Sequence, residues 1–175
     1  MIWMLTSLAL AGAPTGWVAP TAKGYTVERD TNAKDGSYSA VLRGAKGASK
    51  FGTMLQLLDP HAYRGERVRY SAWMRTEGVT DWAGAWMRVD AGEDVVAFDN
   101  MQERALRGDV EWTRISIVLD VHEDATGIVL GILLSGPGAV WLDDVQLDIV
   151  DTSVPVTDMK RKPQPSKPKN LDFEL

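Results

Sequence analysis

Cysteine is absent, and histidine occurs only twice. The first absence excludes disulfide staples, thiolate metal centres and cysteine nucleophiles together, while leaving the compartment open, because an uncrosslinked chain can live in any of them. The second leaves little material for histidine-based metal sites or triads. His61 in D-P-H-A-Y and His122 in D-V-H-E-D both read as turn residues. A basic excess is missing as well: the net charge of −5 supplies no broad attraction for nucleic acid or an anionic membrane, and neither is an expected partner. No apolar run approaches the roughly 20 residues of a bilayer crossing. Any sustained helical period is lacking too, which argues against a helical core.

What the chain does have is alternation. Short apolar/polar segments at 24–28, 38–43, 52–58, 67–75, 84–90, 95–99, 113–121, 126–134 and 139–150 are separated by turn signals such as Lys34-Asp35-Gly36, Ala91-Gly92 and Gly136-Pro137-Gly138. About nine strands of this length predict an all-β fold, a two-sheet antiparallel jelly-roll sandwich over 14–151. Gly127 and Gly131, inside a nearly continuous apolar strand, are positions where another segment can approach closely. Residues 1–13 form an uncharged apolar stretch ending in Ala11-Gly12-Ala13. It reads as a short export signal, implying a secreted or periplasmic protein, or as an ordinary element of the fold, implying a cytoplasmic one. Residues 152–169, rich in lysine and proline, read as an extended linker, and 170–175 (N-L-D-F-E-L) as a terminal strand. That strand is expected to dock on its own sandwich or to be exchanged in a strand-swapped homodimer.

The candidate site comes from tryptophans on the wrong side of the alternation. In R-V-R-Y-S-A-W-M-R, Val68, Tyr70, Ala72 and Met74 share one face, and Trp73 falls opposite them with Arg69 and Arg75. In G-A-W-M-R-V-D, Trp86 and Arg88 lie opposite Ala85, Met87 and Val89. Indole faces among fixed cationic donors suit a pyranose or another flat ligand; the alternative is an arginine–tryptophan stack that only stiffens the sheet. Asp99, Asn100 and Gln102, leaving a strand around Met101, are candidates for a pocket mouth, joined by Gln56, or else they simply close a turn. Trp141 alternates with Val145, Leu147 and Ile149 and is expected in the core; Trp17, Trp82 and Trp112 are expected to cover the sandwich ends. Consecutive Asp143 and Asp144 point to opposite faces of a strand and do not form a catalytic pair.

The strings G-Y-T-V-E-R-D, D-G-S-Y-S-A-V-L-R, W-T-R-I-S-I-V-L-D and G-A-V-W-L-D-D-V-Q-L resemble the jelly-roll domains of the galactose-binding-like superfamily, which includes many carbohydrate-binding modules. A more specific resemblance, carried by F-G-T-M-L-Q, Y-R-G-E-R-V-R-Y-S-A-W-M-R, W-A-G-A-W-M-R-V-D, F-D-N-M-Q and N-L-D-F-E, is to a little-characterised bacterial domain often fused to AraC-type helix-turn-helix regulators. The helix-turn-helix half has no counterpart in this sequence, so transcriptional control does not carry over. The resemblance implies a non-catalytic module that binds a glycan or small molecule. It also implies a structural calcium ion at Asp144 and, if its strand docks, Glu174. Two other classes stay open: a small cyclase-type enzyme on the same fold, with Asp99 as an acid in an apolar cavity, and a structural or protein-interaction module.

Overall fold

The computed structural model describes residues 12–160. Its strands are β1 (Tyr25–Asp30), β2 (Ser39–Gly44), β3 (Phe51–Leu58), β4 (Arg67–Ala91), β5 (Asp94–Asp99), β6 (Leu106–Asp120), β7 (Gly127–Ser135) and β8 (Gly138–Val150). Single 3-10 turns at His61–Tyr63 and Gln102–Arg104 are the only helical elements among the described residues. The expected all-β jelly roll is what the chain forms, with every strand pairing antiparallel. The terminal strand at 170–175, with Glu174, and most of the segment at 1–13 lie outside the described residues.

The two tryptophan segments turn out to be one strand. β4 is 25 residues long and forms the spine of the sandwich. Its first half pairs with β8 on one edge and β6 on the other, giving a first sheet β1-β2-β8-β4-β6; its second half pairs with β7 and β5, giving a second sheet β3-β7-β4-β5. Between them the register with β6 shifts repeatedly, and Gly78 takes a φ of 59° that most L-residues avoid, so the strand bends from one sheet into the other. Val68, Tyr70, Ala72 and Met74 from the first half meet Ala83, Ala85, Met87 and Val89 from the second in one core, all fully buried. Fully burying side chains of this kind contributes about 1.5–3 kcal/mol each for the larger ones. Tyr70 keeps its hydroxyl satisfied by donating to the Gly131 carbonyl at 3.3 Å, and burial pushes that hydroxyl well above the usual tyrosine range.

Gly131 is required by close packing, as expected: a Cβ there would lie 2.1 Å from the Met54 carbonyl oxygen on β3. Gly127 faces no such constraint, its nearest neighbour being the Asp90 carboxylate at 4.0 Å.

Trp141 is buried, as expected, but on the other side of its sheet from the one alternation assigns. Asp144 sits at φ 47°, and the pairing of β8 with β4 slips there by one residue, from Trp73↔Asp143 to Ser71↔Gln146. A bulge of this kind exchanges the two faces of a strand. Before it, Val140 and Leu142 point inward and Trp141 outward; after it, Leu147 pairs with core-facing Tyr70, and Ile149 with Val68. Trp141 is still buried, in a small external cluster with Val41, Ala139 and Trp112, and the guanidinium groups of Arg43 and Arg75 stack on its ring at 5.1 and 4.8 Å.

The expected linker also begins later than its composition indicates. Over 152–160 the chain is hydrogen-bonded to the sandwich: Thr157 N–H donates to the Val118 carbonyl on β6 at 2.9 Å, Met159 N–H to the Phe98 carbonyl on β5 at 2.8 Å, and Phe98 N–H to Asp158 at 3.0 Å. β5 and β6 each end one sheet on that side, so this strap closes the seam between two open edges.

Candidate functional site: an aromatic cleft on the outer face of the second sheet

Side chains of paired residues share a face, so the outer face of the second sheet follows from register. Phe51↔Ser135↔Trp82, Thr53↔Leu133↔Gly84, Leu55↔Gly131↔Trp86 and Leu57↔Val129↔Arg88↔Phe98 are its rows. A cleft of about 530 Å³ opens on this face, lined by Lys50, Phe51, Trp82, Trp86, Phe98, Asn100, Leu133 and Ser135. Four aromatic rings in one cleft, one of them the 56 % exposed Phe51, form an apolar surface that a solvent face does not need.

The ring at its centre is fixed. Trp86 Nε1 donates to Thr53 Oγ1 at 3.0 Å, and that hydroxyl donates in turn to the Ile132 carbonyl at 2.7 Å. Trp86 is on β4 and Thr53 on β3, with β7 between them, so the indole spans a neighbouring strand. At one wall, Gly84 leaves room for the segment after β5: a Cβ there would lie 2.9 Å from the Asn100 carbonyl oxygen and 3.2 Å from Met101 Cβ. Met101 is buried at φ 59°, with its N–H donating to Asp99 Oδ1 at 2.8 Å. Asn100 is thereby carried into the cleft. Its Oδ1 accepts the Gln102 N–H at 3.0 Å, leaving its amide N–H groups for a ligand.

The expected site residues are thus dispersed. Trp86 and Asn100 line the cleft. Asp99 does not line it: fully buried, its carboxylate is gripped by Arg104 through two guanidinium nitrogens, at 3.1 and 2.5 Å, and positions the loop that carries Asn100. Gln102 is exposed in the following turn. Arg88 is on the same face beyond Trp86, with Nε 2.9 Å from Asp90 Oδ1. Gln56 pairs with inward-facing Leu130 and belongs to the inner side, away from Trp86. Trp73 and Arg75 are on the outer face of the other sheet, across the core from Trp86, so the two tryptophans form no common platform. Trp73 has Lys34 Nζ 4.7 Å and the Arg114 guanidinium 5.8 Å from its ring, the stiffening stack weighed as the alternative.

Asp144 does not stand ready for a cation. It accepts Arg114 Nη1 at 2.7 Å and Gln146 Nε2 at 3.0 Å, and these bonds, Arg114's first, hold its carboxyl below the ordinary value of 3.8. A calcium ion there would face a guanidinium, so Asp144 as placed does not fit the expected site. Among the described residues no group of three or more His, Cys, Asp or Glu side chains could hold a metal ion. Nor does a carboxylate line the cleft, so the acid expected of a cyclase has no candidate there among the described residues.

Phe51, Trp82 and Phe98 were the residues that alternation alone did not single out. Phe51 opens β3, Phe98 is next to the last residue of β5, and Trp82, expected at a sandwich end, falls in the bend of β4. Their common face appears only once the register of β3, β4, β5 and β7 is known.

No family model matches the chain. In an alignment of 166 residues that covers 91 % of this chain, it is 39 % identical to YbfP of Bacillus subtilis (strain 168), described as an uncharacterized HTH-type transcriptional regulator. The chain spans 56 %, about half, of that relative. Among solved structures, the xylan-binding CBM22-1 domain of Paenibacillus barcinonensis Xyn10C matches 81 % of this chain and 90 % of its own, with TM-score 0.61 and 18 % identity. TmCBM61, solved with β-1,4-galactotriose, matches 79 % and 92 %, with TM-score 0.55 and 17 % identity. The enzymatically active domain of bacteriophage CBA120 tailspike protein 4 matches 78 % of this chain but 20 % of its own, with TM-score 0.62 and 15 % identity. At these identities the solved structures establish fold alone: the chain shares their jelly-roll fold, and its sequence relative is described as a helix-turn-helix-type regulator.

Proposed function

We propose that this domain is a non-catalytic carbohydrate-binding module whose ligand lies in the cleft of Phe51, Trp82, Trp86 and Phe98. The observation that carries this reading is the Trp86 indole, locked by Thr53 on an open sheet face among three further rings. A sugar ring presents an apolar C–H face and a rim of hydroxyls. The first stacks on indole and phenyl faces, and the second meets the few polar groups of the cleft, Asn100, Ser135 and Lys50. Because the platform is already fixed, little ordering entropy opposes association. The fold shared with a xylan-binding domain and with a module solved with β-1,4-galactotriose supports the choice of ligand class.

The test is a glycan-array screen followed by calorimetry on the best oligosaccharide. Trp86→Ala is expected to weaken binding by at least about thirtyfold, the weight of a central aromatic anchor of roughly 2 kcal/mol. Trp73→Ala, on the opposite sheet, is expected to bind as wild type. Loss of binding in Trp73→Ala with Trp86→Ala unaffected would place the site on the other face.

A further inference from the structure

We propose that Lys50 makes this cleft selective for anionic glycans, with the carboxylate of a uronic acid residue held by its ammonium group while the sugar ring stacks on the aromatic floor. This rests on the carbohydrate reading of the cleft and names its substrate class. Lys50 is the one ionisable side chain among the cleft's lining residues. The other charges bordering this face are matched: Arg88 lies against Asp90 at 2.9 Å and Arg107 against Asp81 at 3.6 Å, with Asp81 also accepting from Ser135 Oγ at 2.5 Å. Lys50 has no ion pair among the described residues.

Its backbone is held in an unusual conformation. Lys50 occupies φ 63°, a left-handed conformation that costs a non-glycine residue about 1 kcal/mol or more. Tyr25 fixes it there: the tyrosine hydroxyl donates to the Lys50 carbonyl at 3.1 Å and accepts the Gly136 N–H at 2.9 Å, tying together the two loops beside the cleft. A left-handed lysine anchored next to an aromatic cleft holds its side chain's starting point fixed beside a bound sugar. The free polar groups agree with an anionic ligand. An ammonium group only donates, and Asn100, with one lone pair of its carbonyl engaged by Gln102, has both amide N–H bonds unengaged among the described residues. Two donors flanking an apolar floor complement a carboxylate better than a neutral hydroxymethyl group.

The experiment compares a β-1,4-glucose oligosaccharide with its C6-oxidised uronate counterpart, which share ring and linkage and differ in that group alone. Calorimetry at low salt should show the uronate binding about fivefold tighter, the upper end for a solvent-accessible ion pair, with the preference fading at about 0.5 M salt as the charges are screened. Lys50→Gln should abolish the preference, and Lys50→Arg should restore it. Equal affinity for both sugars, with binding that still depends on Trp86, would overturn the selectivity while leaving the carbohydrate cleft in place. Absence of Trp86-dependent binding by either sugar would overturn both.

Discussion

At the scale of single residues, alternation identified what is anomalous but not where it ends up. Trp86 was legible as an indole on a polar face, and so was Trp73; which one borders a cleft depends on neighbours far away in sequence. Thr53 is 33 residues from the indole it holds. Asp99 illustrates the opposite limit. Its position in F-D-N-M-Q suggested a pocket acid, yet in the structure it is a fully buried carboxylate whose charge Arg104 compensates. Arg104→Ala should therefore cost about 2–3 kcal/mol in chemical denaturation, somewhat less than a wholly buried pair because Arg104 is partly exposed. It should also weaken ligand binding by releasing the loop of Asn100. The double variant Asp99→Asn, Arg104→Ala should recover much of that stability, since no buried charge then lacks a partner. An Arg104→Ala protein as stable as wild type would show that Asp99 is neutralised some other way.

At the scale of elements, turn chemistry and alternation located nearly every strand, because each apolar/polar period has to present one face to a single core. Two features escaped that logic. The segments 67–75 and 84–90 are one strand, since nothing in the local pattern distinguishes a bend at Gly78 from a loop. The bulge at Asp144 reverses the alternation of β8, and a reading that assumes an unbroken period necessarily puts Trp141 on the wrong side. The strap at 152–160 was read as linker because lysine and proline resist burial; its attachment uses backbone hydrogen bonds and Thr157, Asp158 and Met159 instead. A chain ending at Asp151 loses those bonds and exposes the edges of β5 and β6. At about 1 kcal/mol per bond its melting temperature should fall by roughly 5–10 °C relative to a chain ending at Lys160. If the two truncations melt together, the strap contributes nothing to stability, and any loss relative to the full chain would come from 161–175.

For the whole molecule, stability should follow the carboxylates that the fold holds ionised. Asp30 is kept below its ordinary value of 3.8 chiefly by the Asn32 N–H, with Arg43 assisting. Asp144 is lowered by Arg114 and Gln146, and Asp151 by Ser153 and Arg67. A depressed carboxylate stabilises the fold above its unfolded value and loses that contribution as pH falls through its folded one. Melting temperature should thus hold steady above about pH 5 and fall below about pH 4. Asp30→Asn should make the acid limb shallower; an unchanged slope would mean that Asp30 does not contribute to it.

A sandwich offers two outer faces, and each of these carries tryptophan: Trp73, Trp112 and Trp141 on the first sheet, caged by Lys34, Arg43, Arg75 and Arg114, and Trp82 and Trp86 on the second, open to solvent in a cleft. Titrating isotope-labelled protein with the best-binding oligosaccharide and following its amide and indole N–H resonances distinguishes the two directly. Shifts should concentrate on Lys50, Phe51, Trp82, Trp86, Phe98 and Asn100, with the Trp73 and Trp141 indole signals unmoved. Shifts clustered on Trp73 and Trp141, with Trp86 silent, would put the ligand on the first sheet and leave the aromatic cleft without a role in binding.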